Sequence, residues 1–195
     1  MVLNIIKYGH PTLREKGRKI GTISPEIRQL AEDMIETMYA ANGVGLAAQQ
    51  VNRPLLLTVL DVSTSELPWT LTPAGKTVLS LPLVLVNPVL SEARGEQIGS
   101  EGCLSIPEVN ADVRRAEQVT VRAQDLHGEK IQFTCTGLLA RAVQHEVDHL
   151  QGILFVDRLD AATRVSLAGK LKRMQKETVA AFEKPGRLRR VLVRF

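Results

Sequence analysis

Gln144-His145-Glu146-Val147-Asp148-His149-Leu150 is the stretch that decides this chain, because it brings two imidazoles and a carboxylate together. Residues four apart share one face of a helix, so His145 and His149 can aim ring nitrogens at one cation while Glu146 stands beside it. A carboxylate held next to a metal without coordinating it is what metal-assisted hydrolysis needs, since the metal acidifies a bound water and the carboxylate takes its proton. The same pattern also occurs on solvated helix faces, where it binds nothing. A third ligand from elsewhere in the chain separates the two readings.

Working outward, 195 residues with 44% hydrophobic content suffice for one well-buried core and are short for two, so residues 1–195 are expected to form a single domain. The net charge of +4 is unevenly placed. From Lys170 onward nine Lys or Arg face only Glu177 and Glu183, so the basicity belongs to the C-terminus. Cys103 and Cys135 give no disulfide framework and suit a reducing compartment, where a cysteine among histidines more often means metal or catalysis. The start, Met1-Val-Leu-Asn-Ile-Ile-Lys7, lacks the basic-then-apolar pattern of a secretory leader. No apolar run reaches ~18 residues, and the expectation is a cytoplasmic chain that spans no membrane.

Several elements are legible in chain order. Tyr8-Gly-His-Pro-Thr-Leu-Arg14 is a punctuated turn in which His10 reads as a surface or packing residue. Ser24 and Pro25 open a helix whose Ile27, Leu30, Ala31, Met34, Ile35 and Met38 recur at helical spacing until Asn42-Gly43. Gly43-Val-Gly-Leu-Ala-Ala-Gln-Gln50 fits a dinucleotide fingerprint in letters only, since it closes a helix and leads to a strand rather than the reverse. Its two glycines allow close approach of a peptide and Gln50 offers an amide to a developing oxyanion, although the stretch equally suits a tight connection.

Strands are expected over Leu55–Asp61 and within Leu81–Leu90, with residues 63–80 between them as a long surface loop. Val119–Ala123 and Lys130–Cys135 alternate around Asp125-Leu-His-Gly128 as a hairpin, with His127 solvated and Cys135 a small core residue. Leu138–Leu150 is the motif helix, stopped by Gly152, and a last helix spans 160–183 before a basic tail over 184–195.

The third ligand follows by elimination. A third histidine, which a known metalloprotease pattern places three residues past Gly152, fails because Phe155 stands there, and Glu177 and Glu183 sit in a basic, solvated-looking helix. His10 and His127 are poorly placed. Cys103, preceded by Gly102, remains: a thiolate is a strong ligand for Zn(II) or Fe(II), and two histidines with one thiolate leave an open position, as a catalytic centre requires.

Three blocks then resemble the peptide deformylase family: Gly43-Val-Gly-Leu-Ala-Ala-Gln-Gln50, Glu101-Gly-Cys-Leu-Ser105 and Gln144-His-Glu-Val-Asp-His149. Lys7–Arg14 and Gly152–Asp157 extend the resemblance over nearly the whole chain, apart from the long loop and the tail. The resemblance implies an α+β fold, with small antiparallel β-sheets packed around the motif helix and a C-terminal helix. It implies co-translational removal of the formyl group from the initiator methionine of new polypeptides, releasing formate.

On the matching positions, Cys103, His145 and His149 would hold the metal, natively Fe(II) and replaceable by Zn(II) or Ni(II). Glu146 would move the proton, and Gln50 with the backbone N–H of Leu104 would bind the oxyanion. Gly45 would align the peptide, Val44, Leu138 and Ala142 would receive the methionine, and Glu101 with Arg115 would prop the cysteine loop. Val109-Asn110 stand where some relatives carry an arginine near the substrate.

Lys170, Lys172, Arg173, Lys176, Arg187, Arg189 and Arg190 suit contact with ribosomal RNA, as the family's C-terminal helix implies, or simply form a solvated face. Two rivals stand beside the deformylase reading. A general metallopeptidase lacks its third-ligand pattern here. A non-catalytic metal-holding module needs neither Glu146 nor Gln50.

Overall fold

The computed structural model describes residues 1–74 and 79–183. Its elements run α1 (Pro25–Ala40), β1 (Gly45–Ala47), β2 (Leu57–Leu60), β3 (Trp69–Pro73), β4 (Leu83–Arg94), β5 (Gln97–Cys103), β6 (Ile106–Arg115), β7 (Gln118–Gln124), β8 (Lys130–Thr136), α2 (Gly137–Leu150) and α3 (Ala161–Glu183). Six strands form one antiparallel sheet in the order β1-β2-β4-β7-β8-β3, while β5 and β6 pair as a separate two-stranded sheet. The expected α+β arrangement is thus observed, with a C-terminal helix.

Helix α1 forms because Ala31, Met34 and Met38 repeat on one stripe, and that stripe is fully buried against Leu46, Leu57 and Val59. Each of the two methionines taken out of water contributes about 1.5–3 kcal/mol. Ser24 occupies the N-cap position but makes no side-chain cap bond. Helix α2 buries Leu139, Ala140 and Val143 against Leu60, Leu85, Val121 and Phe133 of the large sheet. Its far side is left for polar side chains that reach the small sheet. Gly152 stops it with a φ of +73°, and a Cβ there would lie 2.5 Å from the Arg14 carbonyl oxygen, so the N-terminal segment is packed directly under the helix end.

Strand β4 runs past the expected end because its breaks are accommodated locally. Pro88 lies in a register shift between Val86 and Val89, where no ladder donor is needed, and Asn87 takes a φ of +53°. The Asn87 amide stands in for a strand partner, accepting from Ile20 N at 2.9 Å and donating to Ile20 O at 2.8 Å. The β7–β8 hairpin is as expected: Asp125 Oδ1 accepts from the N–H groups of His127 (2.8 Å) and Glu129 (2.9 Å), and the His127 side chain is exposed.

Two stretches differ from expectation. Residues 63–80 are not one loop, since Trp69–Pro73 pairs with β8 as the edge strand β3. Thr70 and Thr72 supply β-branched residues, and Thr70 Oγ1 lies 2.8 Å from Thr136 Oγ1. The approach to Cys103, Gln97–Cys103, for which no element is expected from the sequence, is strand β5. His10 is buried, its Nδ1 accepting from Thr12 N at 3.2 Å to cap a short turn, so it is a packing residue of the N-terminal segment. Lys170, Lys172, Arg173 and Lys176 lie on α3, whereas Arg187, Arg189 and Arg190 fall outside the described residues. Among the described residues no helix is long and apolar enough to cross a membrane.

Candidate metal and catalytic centre

The small sheet ends on Cys103, and α2 presents His145 and His149 one turn apart toward it. One ligand atom from each of the three lies within 4.8 Å of the others, and Cys103 Sγ is 3.3 Å from His149 Nε2. The two imidazoles stand edge to face with centroids 5.0 Å apart, and His145 stacks on Phe155 at 6.1 Å. Both histidines are buried and Cys103 is half-buried, so the triad opens to one side only.

The donor set fits a divalent cation on two grounds. Burial works against a charge on His145, but Cys103, Glu101 and Glu146 outweigh it and raise its pKa to about 10, so this cluster of acids attracts positive charge. Burial, with the charges of His145 and Arg115, holds His149 well below its ordinary value, in the neutral form a metal requires. Glu146 Oε2 is buried without a hydrogen-bond partner among the described residues, an arrangement that is costly unless something else faces it. Burial pushes the Glu146 carboxyl up to about 7.

Behind the triad lies a network of charges. Glu101 accepts from Arg115 Nε (2.9 Å) and Nη2 (3.0 Å), from Arg141 Nη1 (2.9 Å), and pairs through Oε2 with His145 Nδ1 at 2.9 Å. That contact turns the other nitrogen of His145 toward the triad. Burial alone would raise the Glu101 pKa, but bonds from His145 and Arg115 hold it down, at about 2. Arg115 also bonds Asp148, which Arg158 grips at 3.0 and 2.6 Å.

The expected Glu101–Arg115 pair is therefore present, and Arg141, Asp148 and Arg158 complete it. The sequence carried a signal for Arg141, a cation one turn before His145 on the inward face of α2, but such a charge usually reads as solvated. Replacing Glu101 with leucine leaves two buried guanidiniums short of a carboxylate. The expected outcome is a loss of about 3–5 kcal/mol in denaturant unfolding and roughly 10–100-fold weaker metal binding in a chelator competition.

Gln50 follows β1 in a tight turn and is buried. Its Oε1 accepts from Ala47 N at 2.8 Å, which fixes the amide so that Nε2 faces Cys103 Sγ (3.5 Å) and Ser105 Oγ (3.4 Å). Gly45 lies against Glu146: a Cβ there would come within 2.5 Å of Glu146 Oε1. A cleft of about 570 Å³ opens over these groups, walled by Val44, Gly45, Leu104, Leu138 and Ala142, and none of the described residues of 63–80 lines it. Of the site residues expected from the sequence, all but His149 and Arg115 line this cleft.

The sequence profile of the family described as polypeptide deformylase matches residues 2–165. A peptide deformylase of Opitutus terrae is 43% identical over 186 residues, covering 93% of this chain and 97% of that protein. The crystal structure of the Thermus thermophilus enzyme superposes with a TM-score of 0.77 at 41% identity, covering 91% of this chain and 99% of the other. That of the Legionella pneumophila enzyme gives 0.75 at 35%, covering 92% and 98%. With the match spanning both the Cys103 strand and the histidine helix, the chain belongs to the polypeptide deformylase family of enzymes.

Proposed function

We propose that this protein removes the N-formyl group from the initiator methionine of newly made polypeptides and releases formate, using a divalent metal on Cys103, His145 and His149. One observation carries the reading: a three-ligand cluster sits beside a buried Glu146, whose Oε2 has no hydrogen-bond partner among the described residues, and a Gln50 amide locked to face it. A divalent cation bound there supplies Lewis acidity, bringing the pKa of water down toward ~7. Glu146 takes the proton of the attacking water and returns it to the nitrogen of the leaving methionine. Gln50 Nε2–H and the Leu104 backbone N–H donate to the formyl oxygen as it gains charge.

The peptide pairs with β1, an edge strand with one row of backbone groups free of sheet partners, and Gly45 leaves room for it and for Glu146. Val44, Leu138 and Ala142 form the apolar pocket for the methionine side chain. Fe(II) is the native ion on this reading, with Zn(II) or Ni(II) as replacements. The chain works as one catalytic domain in the cytoplasm during translation, and the cations of α3 face the ribosome.

Gln50→Ala is expected to lower kcat by about 10²–10³ with bound metal unchanged. Stopped-flow or steady-state formate assays with metal analysis check it. The reading as a whole is tested by purifying the protein anaerobically with Fe(II), quantifying metal, and following formate release from a short formyl-methionyl peptide. Stoichiometric metal with no formate release overturns it, in favour of a metal-holding module without chemistry.

A further inference from the structure

The catalytic cleft does not end at its apolar wall. Lys7, Pro107 and Glu108 line both the cleft and a second groove of about 460 Å³, which runs between the β5–β6 hairpin and α3. A peptide whose methionine fills the cleft can leave along this groove. The groove's charged groups are Lys7, Lys170 and Arg173 against Glu108 and Glu177. Lys170 Nζ bonds the Glu108 backbone oxygen and lies 3.7 Å from its carboxylate, and Arg173 lies 3.8 Å from Glu177.

Lys7 differs from both. Among the described residues it pairs with no carboxylate, and its Nζ donates to the neutral Leu104 carbonyl at 2.8 Å. Its backbone is fixed at the same place, because the neighbouring Tyr8 N–H donates to Ser105 O at 2.8 Å. The junction between cleft and groove therefore carries one positive charge that no carboxylate among the described residues pairs with, held next to the loop that follows Cys103.

We propose that Lys7 is a specificity-determining residue that favours acidic side chains among the first few residues after the formylated methionine. This rests on the deformylase reading and adds a preference to it. An exposed ion pair of this kind gives about a threefold to fivefold advantage at low salt and is screened as ionic strength rises toward about 0.5 M. The contact is made with side chains beyond the methionine and is equal in ground and transition states, so the preference resides in KM, with kcat unchanged.

The test compares metal-loaded wild type, Lys7→Met, Lys7→Glu and Lys7→Arg on formyl-methionyl peptides. Each peptide carries Asp, Asn or Lys at the second, third or fourth position. Binding of the matching deformylated peptides is measured by calorimetry. The expected result is a wild-type order of Asp over Asn over Lys at one of these positions, kept by Lys7→Arg, flattened by Lys7→Met and inverted by Lys7→Glu, with the same order in calorimetry. Equal KM values for acidic and basic peptides in the wild type, or an unchanged order in Lys7→Glu, overturn this inference alone. Formate release from none of the peptides overturns the deformylase reading and this inference with it.

Discussion

Glu146→Ala is expected to slow formate release from a formyl-methionyl peptide by about 10²–10⁴-fold, while the protein keeps its full complement of metal. The separation of the two effects follows from where the carboxylate stands. It is next in sequence to His145 but is not among the three side chains whose ligand atoms converge. Its Oε2 is buried without a hydrogen-bond partner among the described residues, and its Oε1 side fills the space where Gly45 has no Cβ. A carboxylate in that position is not needed for folding.

Burial holds the Glu146 pKa near 7, so the group can accept and return a proton at little cost in driving force. Glu146→Gln, which keeps the volume and removes the basicity, is expected to be equally slow and so excludes a packing explanation. Retention of more than about a tenth of wild-type kcat in both variants would assign the proton to another group. Loss of metal in both would make Glu146 a ligand.

How far the site can be read without coordinates depends on which residues share a local repeat. His145, Glu146 and His149 were legible because one helical turn fixes their mutual placement, and α2 has that geometry. Cys103 was reachable only by elimination, since nothing in a sequence gives the distance between a strand end and a helix some forty residues on. Strand β5 was missed for a physical reason. Gln97-Ile-Gly-Ser-Glu-Gly-Cys103 holds two glycines and little β-branched content, so propensity opposes a strand there.

The rest of the fold overrides that propensity. Arg141 lies against Gly99, where a Cβ would come within 3.2 Å of its Nη2, and bonds the Gly99 carbonyl at 3.2 Å and that of Val113 at 2.9 Å. A buried guanidinium from α2 thus holds the hairpin that carries Cys103. Gly99, one of the two glycines that weakened the strand signal, is what allows the approach. The same reasoning explains β3: its partner strand is more than fifty residues away, and an edge strand of five residues leaves almost no local periodicity.

Cys103→Ala carries the second large effect, in the opposite pattern to Glu146→Ala. The protein is expected to fold, because Cys103 is only half-buried and the substitution removes a single sulfur at a strand end. Its metal binding is expected to weaken by well over the roughly 10–100-fold that loss of a supporting contact costs, and formate release to fall to background. The thiolate contributes more than one bond: it is the charged member of the triad, and without it two neutral imidazoles remain to hold a dication in a largely buried site.

Metal analysis after anaerobic dialysis, with circular dichroism to monitor the fold, separates the outcomes. A folded, metal-free and inactive variant supports Cys103 as a ligand. A variant with stoichiometric metal would mean that His145 and His149 find their third ligand elsewhere, and Glu146, a buried carboxylate whose Oε2 has no partner among the described residues, would then be the group able to serve. The two substitutions therefore check each other, because Glu146 cannot both complete the ligand set and remain free to carry the proton.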